Sequence, residues 1–262
     1  MYIEIAKGLF LPFFGTALGA AGVYMMKDKM NDRLQRTLSG FAAGVMTAAA
    51  IWSLILPALE QSEHMGKHAV IPVVVGFWAG IMFLMLLDKL IPHFHIGENQ
   101  PEGPKSSYKK TTMMILAVAL HNIPEGMAVG ASYADGLLNN NAIAAGAFTL
   151  SLGIALQNFP EGAIISMPLK SEGMSRHKAF MFGAVSGMVE PLAAICTILA
   201  AAAVAPVLPY LLSFAAGAMI YVVVEDLVPE MNCGCDHWNM GAIVFSLGFT
   251  LMIVLDHTLG GH

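Results

Sequence analysis

The chain reads as an all-α membrane protein, eight transmembrane helices in one polytopic bundle, and three observations carry that reading. Of its 262 residues 56% are hydrophobic and 12% charged, about half the charged share of an ordinary soluble domain. The apolar residues gather in blocks of roughly 20 or more, the length a helix needs to cross a hydrocarbon core about 30 Å thick. Short alternating segments of the membrane-barrel kind are missing, and lipid satisfies no open strand edge, so strands are excluded.

The first block, residues 3–26, contains Glu4 and Lys7 where a cleavable leader would carry a basic run and a small-residue cleavage site, so no leader is expected. The second, 38–59, opens on Gly40-Phe41-Ala42-Ala43-Gly44-Val45-Met46. Gly40 and Gly44 are spaced for close helix packing, and Met46 is a candidate to line an outer pore. The third, 70–91, leads into the one long connection, about 92–110, whose Pro, Gly, Ser and Lys content reads as a mobile loop. The fourth and fifth blocks, 111–133 and 142–167, carry the polar strings discussed below. The sixth, 179–203, holds Glu190-Pro191 and the small pair Gly183 and Gly187. Pro206 and Pro209 force a tight reversal into the seventh, 207–229, which makes those two helices antiparallel neighbours; the eighth is 239–259.

Lysine and arginine set the orientation. Loops 1–2, 3–4 and 5–6 with their flanks collect eleven of the thirteen basic residues, leaving only Lys7 and Lys67 on the other side. Those loops and loop 7–8 are therefore expected in the cytoplasm, with both termini outside a cell (inner) membrane. The net charge of −5 is confined to loops and a few intramembrane sites. The lipid bilayer is the expected partner, no nucleic acid is, and a homodimer is compatible with the sequence.

Two neighbouring blocks repeat one polar string, His121-Asn122-Ile123-Pro124-Glu125-Gly126 and Gln157-Asn158-Phe159-Pro160-Glu161-Gly162, 36 residues apart. A carboxylate, an amide and a Pro-Glu-Gly run are costly in lipid unless they serve a site. With a 1.5 Å rise from Thr111, His121 lies about 15 Å deep and Glu125 about 21 Å. Residues four apart share a helix face, so His121 stands over Glu125 and Gln157 over Glu161. Pro124 and Pro160 each remove a helical hydrogen bond and displace the carbonyl four residues earlier; kinks are expected there, with Gly126 and Gly162 letting the backbone bend. Glu190 adds a third carboxylate near the same depth. Imidazole with carboxylate and amide oxygen suits Zn²⁺, Fe²⁺, Mn²⁺ or Co²⁺, and the missing thiolate argues against Cu⁺. Without a cation, three buried glutamates would repel one another and gain protons.

At these residues the chain resembles the ZIP (Zrt/Irt-like) family of divalent metal transporters, its bacterial GufA-like branch most of all. The resemblance rests on the two strings, on Ser186-Gly187-Met188-Val189-Glu190-Pro191 and on the Gly40–Met46 run, and it spans essentially the whole chain. It implies a binuclear midplane site. One metal would be held by His121, Glu125, Gln157 and Glu161, a second by Asn122, Glu125, Asn158, Glu161 and Glu190. Some members carry Asp at the position of Asn158. Three carboxylates then face two dications one charge short of balance, and the second position is expected to be weak or empty. Zn²⁺ is the expected cargo, with Fe²⁺, Mn²⁺, Co²⁺ or Cd²⁺ open, and no organic cofactor.

Other polar residues gather at the helix ends. Outside these are Glu60, Glu63, His64, His68 and Asp256-His257, with Asp256 the best entrance candidate; inside are Asp88, His93, His95, Glu225, Asp226 and Glu230. A ladder of weak oxygen sites would pass a cation along without trapping it. Cys233-Gly234-Cys235-Asp236-His237 is a metal-handling candidate with tighter cysteine spacing than structural zinc sites use, and Cys196 reads as a small hydrophobe. No nucleotide-binding loop is present, so transport would draw on ion gradients. The rival classes are an intramembrane zinc enzyme, which lacks an HExxH string and a nucleophile beside a base, and a metal sensor without flux.

Overall fold

Each of the eight apolar blocks is helical over most of its length. The structure, a computed structural model, describes residues 2–26, 30–91, 110–138, 145–200, 203, 205–232 and 239–260. Helix α1 (Tyr2–Ala20) closes in a 3-10 turn (Ala21–Tyr24). Helix α2 (Asp32–Ala49) runs through a π-turn (Ala50–Ile55) into α3 (Leu56–Gln61), and α4 (Val70–Leu90) follows. Next come α5 (Lys110–Leu138), α6 (Ala145–Ser171), α7 (Arg176–Ser186) and α8 (Val189–Leu199). Helix α9 (Leu208–Val222) passes through a second π-turn (Val223–Leu227) into α10 (Val228–Asn232), and α11 (Met240–Leu259) ends the described chain.

Among the described residues, six spans could cross a membrane by length and composition: Ile3–Tyr24, Asp32–Gln61, Val70–Leu90, Arg176–Leu199, Ala205–Asn232 and Met240–Leu259. Helices α5 and α6, at 29 and 27 residues, are as long and carry the polar strings. Exposed leucine, isoleucine, valine, phenylalanine and methionine cover the outer faces of α1, α4, α8 and α11, as expected of surfaces turned to lipid.

Two local features depart from the block boundaries above, each for a physical reason. The second span begins at Asp32 rather than 38 because Asn31 caps it, accepting from the Arg33 amide at 2.9 Å. The sixth block is not one helix but two. Pro191 crowds the carbonyl four residues back, that of Gly187, and the chain tightens there, with Gly187 N bonding Ala184 O at 3.2 Å and Met188 N bonding Val185 O at 3.0 Å. Helices α5 and α6, by contrast, run unbroken through Pro124 and Pro160.

The glycine after each Pro-Glu permits close approach of a neighbouring helix. A Cβ on Gly126 would lie 2.3 Å from the Glu190 carbonyl oxygen of α8, and one on Gly162 only 2.0 Å from that of Thr16 on α1. The same contact joins α2 to α11 through Gly44 and Gly248, and α4 to α9 through Gly80 and Gly217. These pairings sort the bundle. Helices α1, α5, α6, α7 and α8 pack mainly on one another, and so do α2, α4, α9, α10 and α11. The two groups meet where α2 lies on α6 and α9 on α5.

Overpacking at such a contact costs about 1–3 kcal/mol. Gly44→Leu, whose side chain would start 2.0 Å from the Phe245 carbonyl, should lower the melting temperature of the purified protein. Gly146→Ala meets nothing nearer than 3.9 Å and should leave it nearly unchanged in the same fluorescence melt.

Candidate functional site

All seven predicted ligands lie on one helix group: His121, Asn122 and Glu125 on α5, Gln157, Asn158 and Glu161 on α6, Glu190 in the first turn of α8. The helical repeat puts Asn122 one residue beside His121, turned toward α8, while Glu125 faces α6. Asn122, Glu125, Gln157, Asn158 and Glu190 are all buried to 2% exposure or less.

Buried polar groups need partners, and here they find one another. Gln157 donates from Nε2 to Glu125 Oε1 at 2.7 Å. Glu190 is clamped on both oxygens: Asn122 Nδ2 donates to Oε1 at 2.9 Å and Asn158 Nδ2 to Oε2 at 2.7 Å. Asn158 Nδ2 also lies 3.4 Å from the Pro12 carbonyl of α1. Among the described residues Asn122 Oδ1, Glu125 Oε2, Gln157 Oε1, Asn158 Oδ1 and Glu161 Oε2 are enclosed with no hydrogen-bond partner. Five oxygen acceptors from three side-chain types thus share one buried region, a donor set suited to a hard or borderline dication.

Glu125 and Glu190 are each met by amides rather than by one another. The structure does not gather them into a tight cage. Among the described residues no three histidine, cysteine, aspartate or glutamate side chains stand as a ready metal site. His121 is turned to another partner, with Nδ1 3.4 Å from Asp226 Oδ2. Asp226, which sequence reasoning left among the end-of-helix acids, thereby adjoins the site.

The outlying candidates separate. Asp256 is 4% exposed and accepts from Ser53 Oγ at 2.9 Å, while Glu60, Glu63, His64, His68 and His257 are exposed. Asp88 accepts from the Tyr221 hydroxyl at 2.6 Å; Glu230 takes Ser39 Oγ at 2.6 Å and the Gln35 amide; Glu225 is exposed. Met46 is packed in the apolar core at 1% exposure rather than lining an open pore. Cys196 is exposed on α8. His93, His95, Cys233, Cys235, Asp236 and His237 lie outside the described residues, as does most of loop 92–110.

Sequence reasoning missed Ser53, Tyr221, Gln35 and Ser39 as partners, and Asp226 as a neighbour of the site. A signal existed for two of them. Ser53 and Asp226 lie in the π-turns Ala50–Ile55 and Val223–Leu227, each just before a proline, Pro57 or Pro229. A proline excludes the α-helical carbonyl four residues earlier, that of Ser53 or Glu225, and a widened turn is one way to move it aside.

A family model for the ZIP zinc transporters matches residues 98–256. The chain belongs to the ZIP family. Similar ZIP proteins include human zinc transporter ZIP11, 34% identical over 97% of this chain and 96% of that one. The GufA zinc transporter of Myxococcus xanthus is 32% identical over 94% of each, and the ZIPB zinc transporter of Bordetella bronchiseptica is 34% identical over 95% of this chain and 79% of its own length. A ZIP protein is a multi-pass membrane transporter and not an enzyme, which sets the metalloenzyme reading aside.

Removing one donor from a clamped, buried carboxylate costs about 1–3 kcal/mol. Asn158→Ala leaves Glu190 Oε2 without its 2.7 Å donor and should lower the thermal stability of the metal-free protein, measured by calorimetry in detergent.

Proposed function

We propose that this chain carries Zn²⁺ across a cell membrane into the cytoplasm, with eight spans, both termini outside, and a midplane site made by His121, Asn122, Glu125, Gln157, Asn158, Glu161 and Glu190. The observation that supports it best is the enclosed set of partnerless oxygens between α5, α6 and α8. Oxygens enclosed without donors are expensive in a low-dielectric interior, and bound dications would answer them.

The amides let the site exist empty as well as filled. Each of Gln157, Asn122 and Asn158 now turns its N–H toward a glutamate, leaving its carbonyl oxygen unused. A half-turn of the amide exchanges donor for acceptor. The same side chains can therefore satisfy a bare carboxylate or join it around a cation. Glu190, already met by two N–H groups, is the least available of the three acids. The first position, with His121, Glu125, Gln157 and Glu161, is the principal one.

Side chains on both sides of the site are buried, with Ile165 and Leu169 enclosed inward of it. With loops 1–2 and 3–4 inside, Val129 on α5 and Leu150 and Ile154 on α6 lie outward of the site, at 1% exposure or less. His121 and Asp226, on the inner side, keep 11% and 18%. Alternating access would move the group holding all seven ligands against the other, along the seam of α2 on α6 and α9 on α5.

Zinc accumulation in liposomes containing the purified protein tests this. Glu125→Ala and Glu161→Ala should each abolish uptake while the protein elutes and melts as a folded species; unaltered uptake in both would refute the site. Because ligands bind zinc only when deprotonated, affinity should fall as the pH drops from about 7.5 to about 5.5, read by titration calorimetry. Saturable binding without accumulation would instead identify a sensor.

A further inference from the structure

His121 and Asp226 belong to different helix groups, α5 in one and the 205–232 span in the other. Their approach, Nδ1 to Oδ2 at 3.4 Å, therefore crosses the seam between the groups. Its origin is local. The Pro229 ring excludes the Glu225 carbonyl from its α-helical place, and the backbone widens into the π-turn Val223–Leu227. One extra residue in a turn rotates the side chains on either side of it by about 100° relative to an uninterrupted helix. Asp226 lies within that turn and reaches His121, while its sequence neighbour Glu225 is exposed.

We infer that Asp226 is a positioning residue for the cargo site, its carboxylate holding the Nδ1 edge of the His121 imidazole from across the seam. This rests on the zinc-transport reading above and assigns Asp226 a task distinct from that of a ligand. An imidazole whose Nδ1–H is engaged by a carboxylate keeps its lone pair on Nε2, the nitrogen left to meet a cation, and is a more basic ligand for it. Since the carboxylate stands on the opposing group, that orientation holds only while the groups sit as they do here. When they slide, His121 loses this partner. The strength of one ligand is thereby tied to the position of the helix groups, with no hinge inside the site.

The test is zinc titration calorimetry on the full chain in detergent, for the wild type, Asp226→Ala and Asp226→Asn, with visible spectra of the Co²⁺-loaded proteins beside it. Loss of a carboxylate behind a ligating histidine weakens metal binding by about 10–100-fold. Asp226→Ala should show that loss. Asp226→Asn keeps an acceptor oxygen and should show a smaller one. In both, the Co²⁺ d–d band should shift in the direction that His121→Gln shifts it, because the nitrogen ligand is what has changed. Should Asp226→Ala not fold, Asp226→Asn carries the same readings. Unchanged zinc affinity overturns the inference, and so does weakened affinity with an unshifted Co²⁺ band, since Asp226 would then act through the field or the fold and not through His121. A wild-type chain that binds no zinc overturns the transport reading and this inference with it; a wild type that binds while the Asp226 variants match it overturns the inference alone.

Discussion

A carboxylate enclosed between lipid-covered helices can be satisfied only by what the next helix brings to it, so its fate depends on how near that backbone comes. Gly126 decides this for Glu190. The missing Cβ admits the Glu190 backbone of α8 against α5, with its carbonyl oxygen 2.3 Å from where the Cβ would be. At that separation Asn122 reaches Glu190 directly, and Asn158 completes the clamp from α6. Gly162 does the corresponding work between α6 and α1, and the Pro12 carbonyl of α1 comes within 3.4 Å of Asn158 as a result. Small residues in membrane helices permit packing that hydrophobicity alone cannot drive. Here that packing makes a polar cluster possible at all.

The same rule shapes the bundle. Glycines press α2 on α11 and α4 on α9 as closely as they press α5 on α8 and α1 on α6. These contacts fall inside the two helix groups. The seam between the groups is carried by α2 on α6 and α9 on α5, and the interaction of His121 with Asp226 crosses it. Rigid groups meeting at a seam are the mechanical requirement for moving a site without dissolving it, because closely packed interiors are bistable rather than continuously deformable.

The sequence made the helices legible, and marked the candidate ligands, for a simple reason: in lipid each polar residue stands out against an apolar background. The repeated strings placed His121, Glu125, Gln157 and Glu161 on facing surfaces from spacing alone. Less legible was what the prolines do. Pro124 and Pro160 lie inside continuous helices, whereas Pro191 breaks its span in two and Pro57 and Pro229 follow π-turns. A proline's effect depends on whether the displaced carbonyl can tilt, tighten or widen its turn, and neighbours decide that. The glycines of the Pro-Glu-Gly runs read as flexible and also act as contact surfaces. Asp226 was on view as one of several acids near a helix end; only the widened turn distinguishes it from Glu225. No pattern of period 3.6 reveals an inserted residue.

A carrier differs from a storage site in having to be tolerable when empty. Structural zinc sites use thiolates and hold the metal with about 10–16 kcal/mol, which suits permanence. Three bare carboxylates in the middle of a membrane would instead make the unloaded state the costly one, at several kcal/mol per uncompensated ion. Glu125 and Glu190 avoid that state by borrowing N–H groups from Gln157, Asn122 and Asn158. An aspartate in place of Asn158 would bring a fourth negative charge and remove one of Glu190's two donors, favouring a second cation at the expense of the empty site. The asparagine shifts that balance toward return without cargo. If the proposed site is right, the amide at 158 would set how readily the unloaded helix group crosses back, and the carboxylates at 125 and 161 how firmly the loaded one holds its ion.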